Sequence, residues 1–420
     1  MSWPLAMGKA TQAVEETSLE VQTRKAGNFH DFEASLPQIW TPYQEMSLID
    51  KLTSLLGNKN PFYKKARPKD HTIWLLDNTA YRPITSDRHK LHPWQAEFVA
   101  CYFGQNRKDI SKQVAAIADA LGIDGKAGQN KQVTALIAER LQPFCAAIAP
   151  ARTIVIKIPT DADHPQTREL GPSGPNGISS QIIITGGSDD QDGTAIETVA
   201  PAWNSPVKGK THFVGPEGWG VISDIDDSIK FTQTSQPEGI LRTTFCEPYQ
   251  VIEGMPSLYT NIKQLFNPAW FYLSASPYNL YPFLNQFLAE YYPPGTLILR
   301  DNSWQNIGGV LKSLTQGVQA YKVNRIQKIH KWLPKRRFIC VGDSTQSDPE
   351  AYAEIYRKYE GFIQAIFIRK VTNIPNMEEK NKDERFCKAF DGIPSDNWKV
   401  FEQPEECEEH LKLLAKQCGL

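Results

Sequence analysis

The chain predicts an α/β fold, a parallel sheet covered by helices, preceded by a small β-rich unit and a mainly helical N-terminal region. Three observations carry this. From residue 219 onward, short apolar runs at 220–223, 269–273, 296–299, 338–341 and 363–368 alternate with helical periodicity at 280–291 and 310–333, the pattern of βα units. Residues 153–158 and 180–185 are β-branched runs bounded by Pro and Gly clusters, which read as strands. Before residue 150, Met46, Ile49, Leu52, Leu55 and Leu56 recur at helical spacing, as do apolar residues over 114–121 and 133–149.

In chain order, residues 1–45 mix charges, Pro and isolated aromatics without a period and predict a flexible N-terminus. Residues 46–149 form the helical region, interrupted by the Gly-rich stretch 122–128 and containing a basic segment at 64–69. Residues 150–218 hold the β-rich unit, with a loop at 171–177. Residues 219–400 form the α/β domain. An acidic stretch at 402–409 followed by Leu411, Leu413 and Leu414 predicts a solvated terminal helix over 401–420.

Bulk properties narrow the function. Lys and Arg total 46 against 47 Asp and Glu, so net charge supplies no argument for a nucleic-acid partner. Seven cysteines without C-x-x-C spacing in a chain of 420 residues predict free thiols and a cytoplasmic setting. Apolar runs fall far short of the ~20 residues a membrane span needs. Basic clusters at 64–69 and 331–337 could still meet an anionic membrane surface peripherally.

Ligands bind parallel sheets at the carboxyl ends of the strands, and polar residues gather there. One strand runs into Ser223-Asp224-Ile225-Asp226-Asp227-Ser228, a second into Ser274-Ala275-Ser276, and a third into Gly342-Asp343-Ser344 with Asp348 close behind. Lys322 lies on the helix preceding the last of these. Singly, each has an ordinary explanation as a loop carboxylate or a surface charge. As an ordered set they suit phosphoryl transfer. A divalent cation held by Asp224 and Asp343 would offset repulsion between a carboxylate nucleophile and an anionic phosphate, and oxygen ligands suit Mg2+. Asp224 can then attack phosphorus while Asp226 exchanges protons with the leaving group and water. Ser274 and Lys322 supply a hydroxyl and a cation to the phosphoryl oxygens. Arg300, at another strand end, is a candidate contact for a phosphate head group.

This ordered set resembles the haloacid dehalogenase superfamily of phosphatases. Asp224 and Asp226 match its first motif, Ser274 its second, Lys322 its third, and Gly342-Asp343 with Asp348 its fourth. More closely, residues 222–230, 274–278 and 341–350 are similar to the catalytic domain of the fungal actin-patch phosphatidate phosphatases, with Ser228 where that family usually carries Thr. The resemblance spans about residues 210–370. It implies a Rossmann-like sheet with a minimal cap, Mg2+ among Asp224, Asp226, Asp343 and Asp348, and substrate contacts at Ala275 and Arg300. It also implies hydrolysis of phosphatidate to diacylglycerol and phosphate through an aspartyl-phosphate, with actin-patch proteins as partners. About forty residues separate Ser228 from the next strand, room for a flap rather than a roofed chamber, which suits a large or membrane-borne substrate. Two alternatives stay open: a phosphatase for another phosphomonoester (a nucleotide, sugar phosphate or phosphoprotein), and a catalytically silent lipid-binding scaffold.

Overall fold

A computed structural model describes residues 16–36, 55–84, 92–105, 109–123, 131–158, 166–201, 203, 207–301 and 307–420. The chain begins, within these residues, with helices α1 (Ser18–Ala26) and α2 (Phe29–Ser35), where a flexible segment was expected. Thr17 and Glu20 cap α1 reciprocally, an arrangement written in the sequence as Thr-x-x-Glu. A helix of nine residues is marginal by itself; α1 persists because its polar side chains are fastened to the C-terminal domain, as described below.

Strands β1 (Lys64–Lys65), β2 (His71–Leu75), β3 (Asn78–Tyr81) and β4 (Gln95–Gly104) follow. They correct the expectation of a mainly helical region. In β2 the residues alternate between buried and half-buried, a period of two that a search for helical spacing passes over. The helix expected around 46–56 lies almost wholly outside the described residues. Helices α3 (Ser111–Ala120) and α4 (Lys131–Cys145) do form. Strands β5 (Arg152–Ile158), β6 (Gln166–Leu170), β7 (Ile178–Ile184), β8 (Ala195–Ala200) and β9 (Val207–Phe213) then complete a nine-stranded mixed sheet. Its main path runs β1-β5-β8-β9-β3-β4-β2, with β6 beside β5 and β7 beside β4. The β unit therefore extends well before residue 150, and β3 is an interior strand, antiparallel to β4 and parallel to β9.

The second sheet is wholly parallel. It contains β10 (Trp219–Asp224), β11 (Ala269–Pro277), β12 (Thr296–Arg300), β13 (Arg337–Asp343), β14 (Ile363–Arg369) and β15 (Trp398–Phe401), ordered β12-β11-β10-β13-β14-β15. After β10 the chain adds β11 and β12 on one side, then crosses to place β13 on the other. The order reverses between β10 and β13, the position at which open parallel sheets bind ligands beyond the carboxyl ends of their strands. Both faces are covered, since Val221 of β10 packs into one apolar layer and Ile222 into the other.

The helices of this domain are α5 (Pro237–Leu241), α6 (Met255–Phe266), α7 (Tyr281–Tyr291), α8 (Ile307–Thr315), α9 (Val318–Trp332), α10 (Asp348–Lys358), α11 (Asp383–Ala389) and α12 (Glu408–Gln417). The helix expected over 310–333 is two helices, broken at Gly317, whose φ of +60° lies in the left-handed region that favours glycine. The terminal helix α12 is solvated only on one side: Leu411 and Leu414 are buried and Leu413 is exposed. Among the described residues no helix is long and apolar enough to cross a membrane, and all seven cysteines are unbonded.

Candidate active site

Asp224 is the last residue of β10 and Asp343 the last of β13, so the switch point itself brings the two carboxylates together. Asp348 opens α10 and folds back beneath them, its Oδ2 accepting from the Asp343 amide at 3.1 Å. Gly342 permits this approach, because a Cβ there would lie 2.6 Å from the Asp348 Cβ. Oxygens of Asp224, Asp343 and Asp348 lie within 4.8 Å of one another, and all three residues are buried.

Lys322 reaches in from the second turn of α9. Its Nζ lies 2.7 Å from Asp224 Oδ1, donates to Asp348 Oδ1, and donates to Gln346 Oε1 at 3.1 Å. Gln346 is itself fixed by donating to the Leu314 carbonyl at 2.9 Å. Ser228 bridges the acids, its Oγ 3.0 Å from Asp224 Oδ2 and 2.8 Å from Asp343 Oδ2. The Ser that replaces a Thr of the resembling family thus keeps its hydroxyl in contact with both carboxylates. Thr345 donates to Asp343 Oδ1 through its amide at 2.6 Å and through its hydroxyl.

Lys322 contacts Asp224 and Asp348 directly, while Lys380 and Arg369 act on Asp343 from further off. Burial pushes the Asp224 carboxyl well above its ordinary range; Lys322 opposes the rise, and Asp348, Asp343 and Asp226 add to it. Asp343 is pushed up to about 6 by burial and then by the charge of Asp348. Burial works against the charge on Lys322, yet the surrounding carboxylates outweigh it and hold its pKa above the ordinary value. A buried cluster of three carboxylates in contact with one lysine fits a hard divalent cation, which Asp224, Asp343 and Asp348 would hold.

Asp226 faces elsewhere. Its Oδ2 accepts from Ser274 Oγ at 2.6 Å and its Oδ1 from Thr232 Oγ1 at 3.0 Å, with Lys230 Nζ at 3.9 Å. Its carboxylate is outside the group of three that could hold a metal, so that part of the expected ligand set is not assembled by its side chain. Ser274 is spent on Asp226 and on the Ser276 amide at 3.0 Å. The Ala275 side chain is buried in the apolar core. Arg300 is also used elsewhere: it donates to the Gln316 carbonyl at 2.7 Å and lies 5.1 Å from the Tyr321 ring centre. The basic stretch at 331–337 belongs to the opposite end of the sheet, where Arg336 donates to the Gly215 and Trp219 carbonyls.

Several organising residues escape a reading of motifs. Asp227, at φ +64°, accepts from the amides of Thr232, Gln233 and Thr234 at 2.7–2.9 Å and shapes the loop after β10. Arg385 donates to the Ser344 and Gln346 carbonyls at 2.7 and 2.6 Å and pairs with Glu350 at 2.8 Å, pinning the loop that joins Asp343 to Asp348. Only the acidic doublet Asp226-Asp227 is a local signal for the first. Nothing near Arg385 in the sequence announces the second, because its partners are mostly carbonyl oxygens.

Residues 219–370 match the family model described as phosphatidate phosphatase APP1, catalytic domain. The chain is 33% identical over 180 residues to phosphatidate phosphatase APP1 of Saccharomyces cerevisiae, covering 41% of this chain and 30% of that protein. It is 30% identical over 159 residues to an uncharacterized protein of Schizosaccharomyces pombe, covering 37% of this chain and 25% of that one. The matched segment thus spans less than a third of the length of either relative. Asp224, Asp226, Ser274, Lys322, Asp343 and Asp348 all fall inside residues 219–370, the part of the chain that is similar to the catalytic domain of phosphatidate phosphatase APP1.

Proposed function

We propose that this chain is a magnesium-dependent phosphatidate phosphatase of the haloacid dehalogenase type, releasing diacylglycerol and phosphate. The observation that supports this most is the convergence of Asp224, Asp343, Asp348 and Lys322 at one switch point within the APP1-like segment. Magnesium bound there would supply the positive charge that lets a carboxylate approach a phosphate monoester. Asp224 attacks phosphorus, and the phosphorus–oxygen bond to the glycerol breaks in line. Asp226, oriented by Ser274 and Thr232, gives its proton to the departing oxygen. An aspartyl-phosphate remains on Asp224. Asp226, now ionised, takes a proton from water as that water attacks phosphorus, and Asp224 is released with inorganic phosphate. Lys322 holds Asp224 in place and opposes the rise that burial imposes on its carboxyl.

The test is phosphate release from phosphatidate in detergent micelles, with magnesium or with EDTA. Turnover should require the cation. Asp224→Asn should reduce it at least a thousandfold without altering the circular dichroism spectrum, whereas Asp226→Asn removes acid–base assistance worth roughly 10²–10⁴. Full activity in Asp224→Asn would refute the nucleophile. Equal turnover of soluble phosphomonoesters would remove the lipid specificity and leave the chemistry.

A further inference from the structure

Helix α9, which carries Lys322, starts without a cap of its own, because its N-cap is Gly317 and a glycine has no side chain to accept the first amides. Those amides are satisfied from 298 residues away. Glu20 of α1 accepts from the Val318 amide at 2.7 Å and the Gln319 amide at 3.1 Å through Oε1, and from the Gly317 amide at 3.1 Å through Oε2. Glu20 is only 5% exposed. The same Oε2 accepts from the Thr17 amide at 2.9 Å, and the Glu20 amide donates to Thr17 Oγ1, so one carboxylate caps its own helix and a distant one.

The neighbouring contacts converge on the same turn. Arg24 donates to Thr315 Oγ1 at 2.7 Å, Gln316 donates to Glu16 at 2.8 Å, and Arg300 holds the Gln316 carbonyl from the sheet side. Leu19, Glu20 and Thr23 also border a cavity of about 20 Å³ shared with Thr345 and Gln346, on the loop between Asp343 and Asp348. Lys322 follows Val318 by four residues, so its amide bonds within the first helical turn that Glu20 fixes.

We infer that Glu20 is a positioning residue for Lys322: by closing the uncapped start of α9 it holds the ammonium between Asp224 and Asp348. The kinetic consequence rests on the phosphatase reading above. The placement of Lys322 does not.

The experiment compares the full chain with Glu20→Ala and Glu20→Gln in two independent readouts. In the first, brief treatment with acetic anhydride is followed by mass spectrometry of the peptide holding Lys322. That amine should be protected in the parent and labelled at least tenfold faster in Glu20→Ala. In the second, kcat on phosphatidate micelles should fall about tenfold with KM changed less than twofold. Sodium acetate, refilling the vacated carboxylate site, should restore kcat in Glu20→Ala and leave the parent unchanged. A folded Glu20→Ala whose Lys322 stays as protected as in the parent overturns the inference, as does exposure of Lys322 with unaltered kcat. If Glu20→Ala does not fold, Glu20→Gln, which keeps the size and loses the charge, carries the same readouts. A parent without phosphatase activity would sink the functional reading, and the labelling would still judge the role of Glu20.

Discussion

Lys322 has three protons to donate, and Asp224, Gln346 and Asp348 face all of them. Its position depends on how closely Asp348 can approach, which makes Gly342 a sharp probe. An added methyl there would stand 2.6 Å from the Asp348 Cβ and 2.7 Å from its Cγ, distances that no Cβ adopts. Gly342→Ala should force Asp348 off the Asp343 amide, lower kcat at least a hundredfold, and destabilise by the ~1–3 kcal/mol typical of overpacking. Phosphate release and thermal melting measure both; parental activity would mean that Asp348 is not needed where it stands. His212, on β9, makes a different prediction. Burial, with help from Lys210, lowers its pKa to about 4, and its Nε2 is buried without a partner among the described residues. Because the folded value lies below the unfolded one near 6.5, the folded state binds the proton less readily. The stability conferred by a neutral His212 is present above pH 6.5 and is lost as pH falls toward 4. The loss should approach about 3 kcal/mol, and His212→Asn should flatten that limb of a urea-denaturation pH profile.

Among the elements, the helix anchoring the N-terminal region to the catalytic sheet is α4. Its Arg140 donates to the Thr244 and Glu247 carbonyls at 2.9 and 2.6 Å, and its guanidinium lies 4.3 Å from the Phe283 ring centre. Those carbonyls belong to the π-helical turn Arg242–Cys246 and the residue that follows it, and Arg140→Ala would strip both of a donor. The loss should be about 2–6 kcal/mol, at roughly 1–3 kcal/mol for each of the two groups left unpaired, read as a lower urea midpoint at unchanged slope. Lysine should recover only part of it, having no planar fork to span two acceptors. Such joints explain what could be read from the sequence. The strand ends carrying Asp224, Ser274 and Asp343 were legible because apolar runs and short motifs are local. Helix α1 has a local signal in Thr17-x-x-Glu20, but its stability comes from contacts with 315–319 that no local pattern reveals. Gly317 sits inside an otherwise helical period, and of the early strands β2 alternates over only five residues, β3 is buried throughout and β4 passes into a continuous buried run, so none shows a sustained period of two. Arg300 ends its strand as expected, but the break between α8 and α9 places a carbonyl within its reach.

At the scale of the whole molecule, the apolar core decides how many independent parts there are. One cluster of buried side chains runs from Phe29 through Leu76, Phe103, Ile117 and Phe144 into Val221, Phe245, Tyr259 and Leu414. It therefore joins the N-terminal hairpin, the mixed sheet with its helices, the parallel sheet and the terminal helix. Phe144 meets Phe245 edge-on at 5.5 Å, and Thr79 of the mixed sheet bonds Thr296 of the parallel sheet at 2.7 Å in a buried contact. A cleft of about 520 Å³ does separate the two sheets on the side lined by His212, Trp219 and Arg336, but it is bridged by Arg336, which holds the Gly215 and Trp219 carbonyls and approaches Asp192. Parts that share a core lose their stabilising contacts together, so the chain should unfold in one cooperative step despite containing two sheets. Far-ultraviolet circular dichroism, which follows both sheets, and tryptophan fluorescence, which follows Trp74 and Trp94 on one side and Trp219 and Trp270 on the other, should give coincident urea transitions. The same coupling predicts that residues 207–420 expressed alone are unstable, since Phe245 would lose Phe144 of α4, the Thr244 and Glu247 carbonyls would lose Arg140, and the start of α9 would lose Glu20. Two separated transitions, or a stable and fully active 207–420 fragment, would show that the APP1-like segment is independent of the rest of the chain.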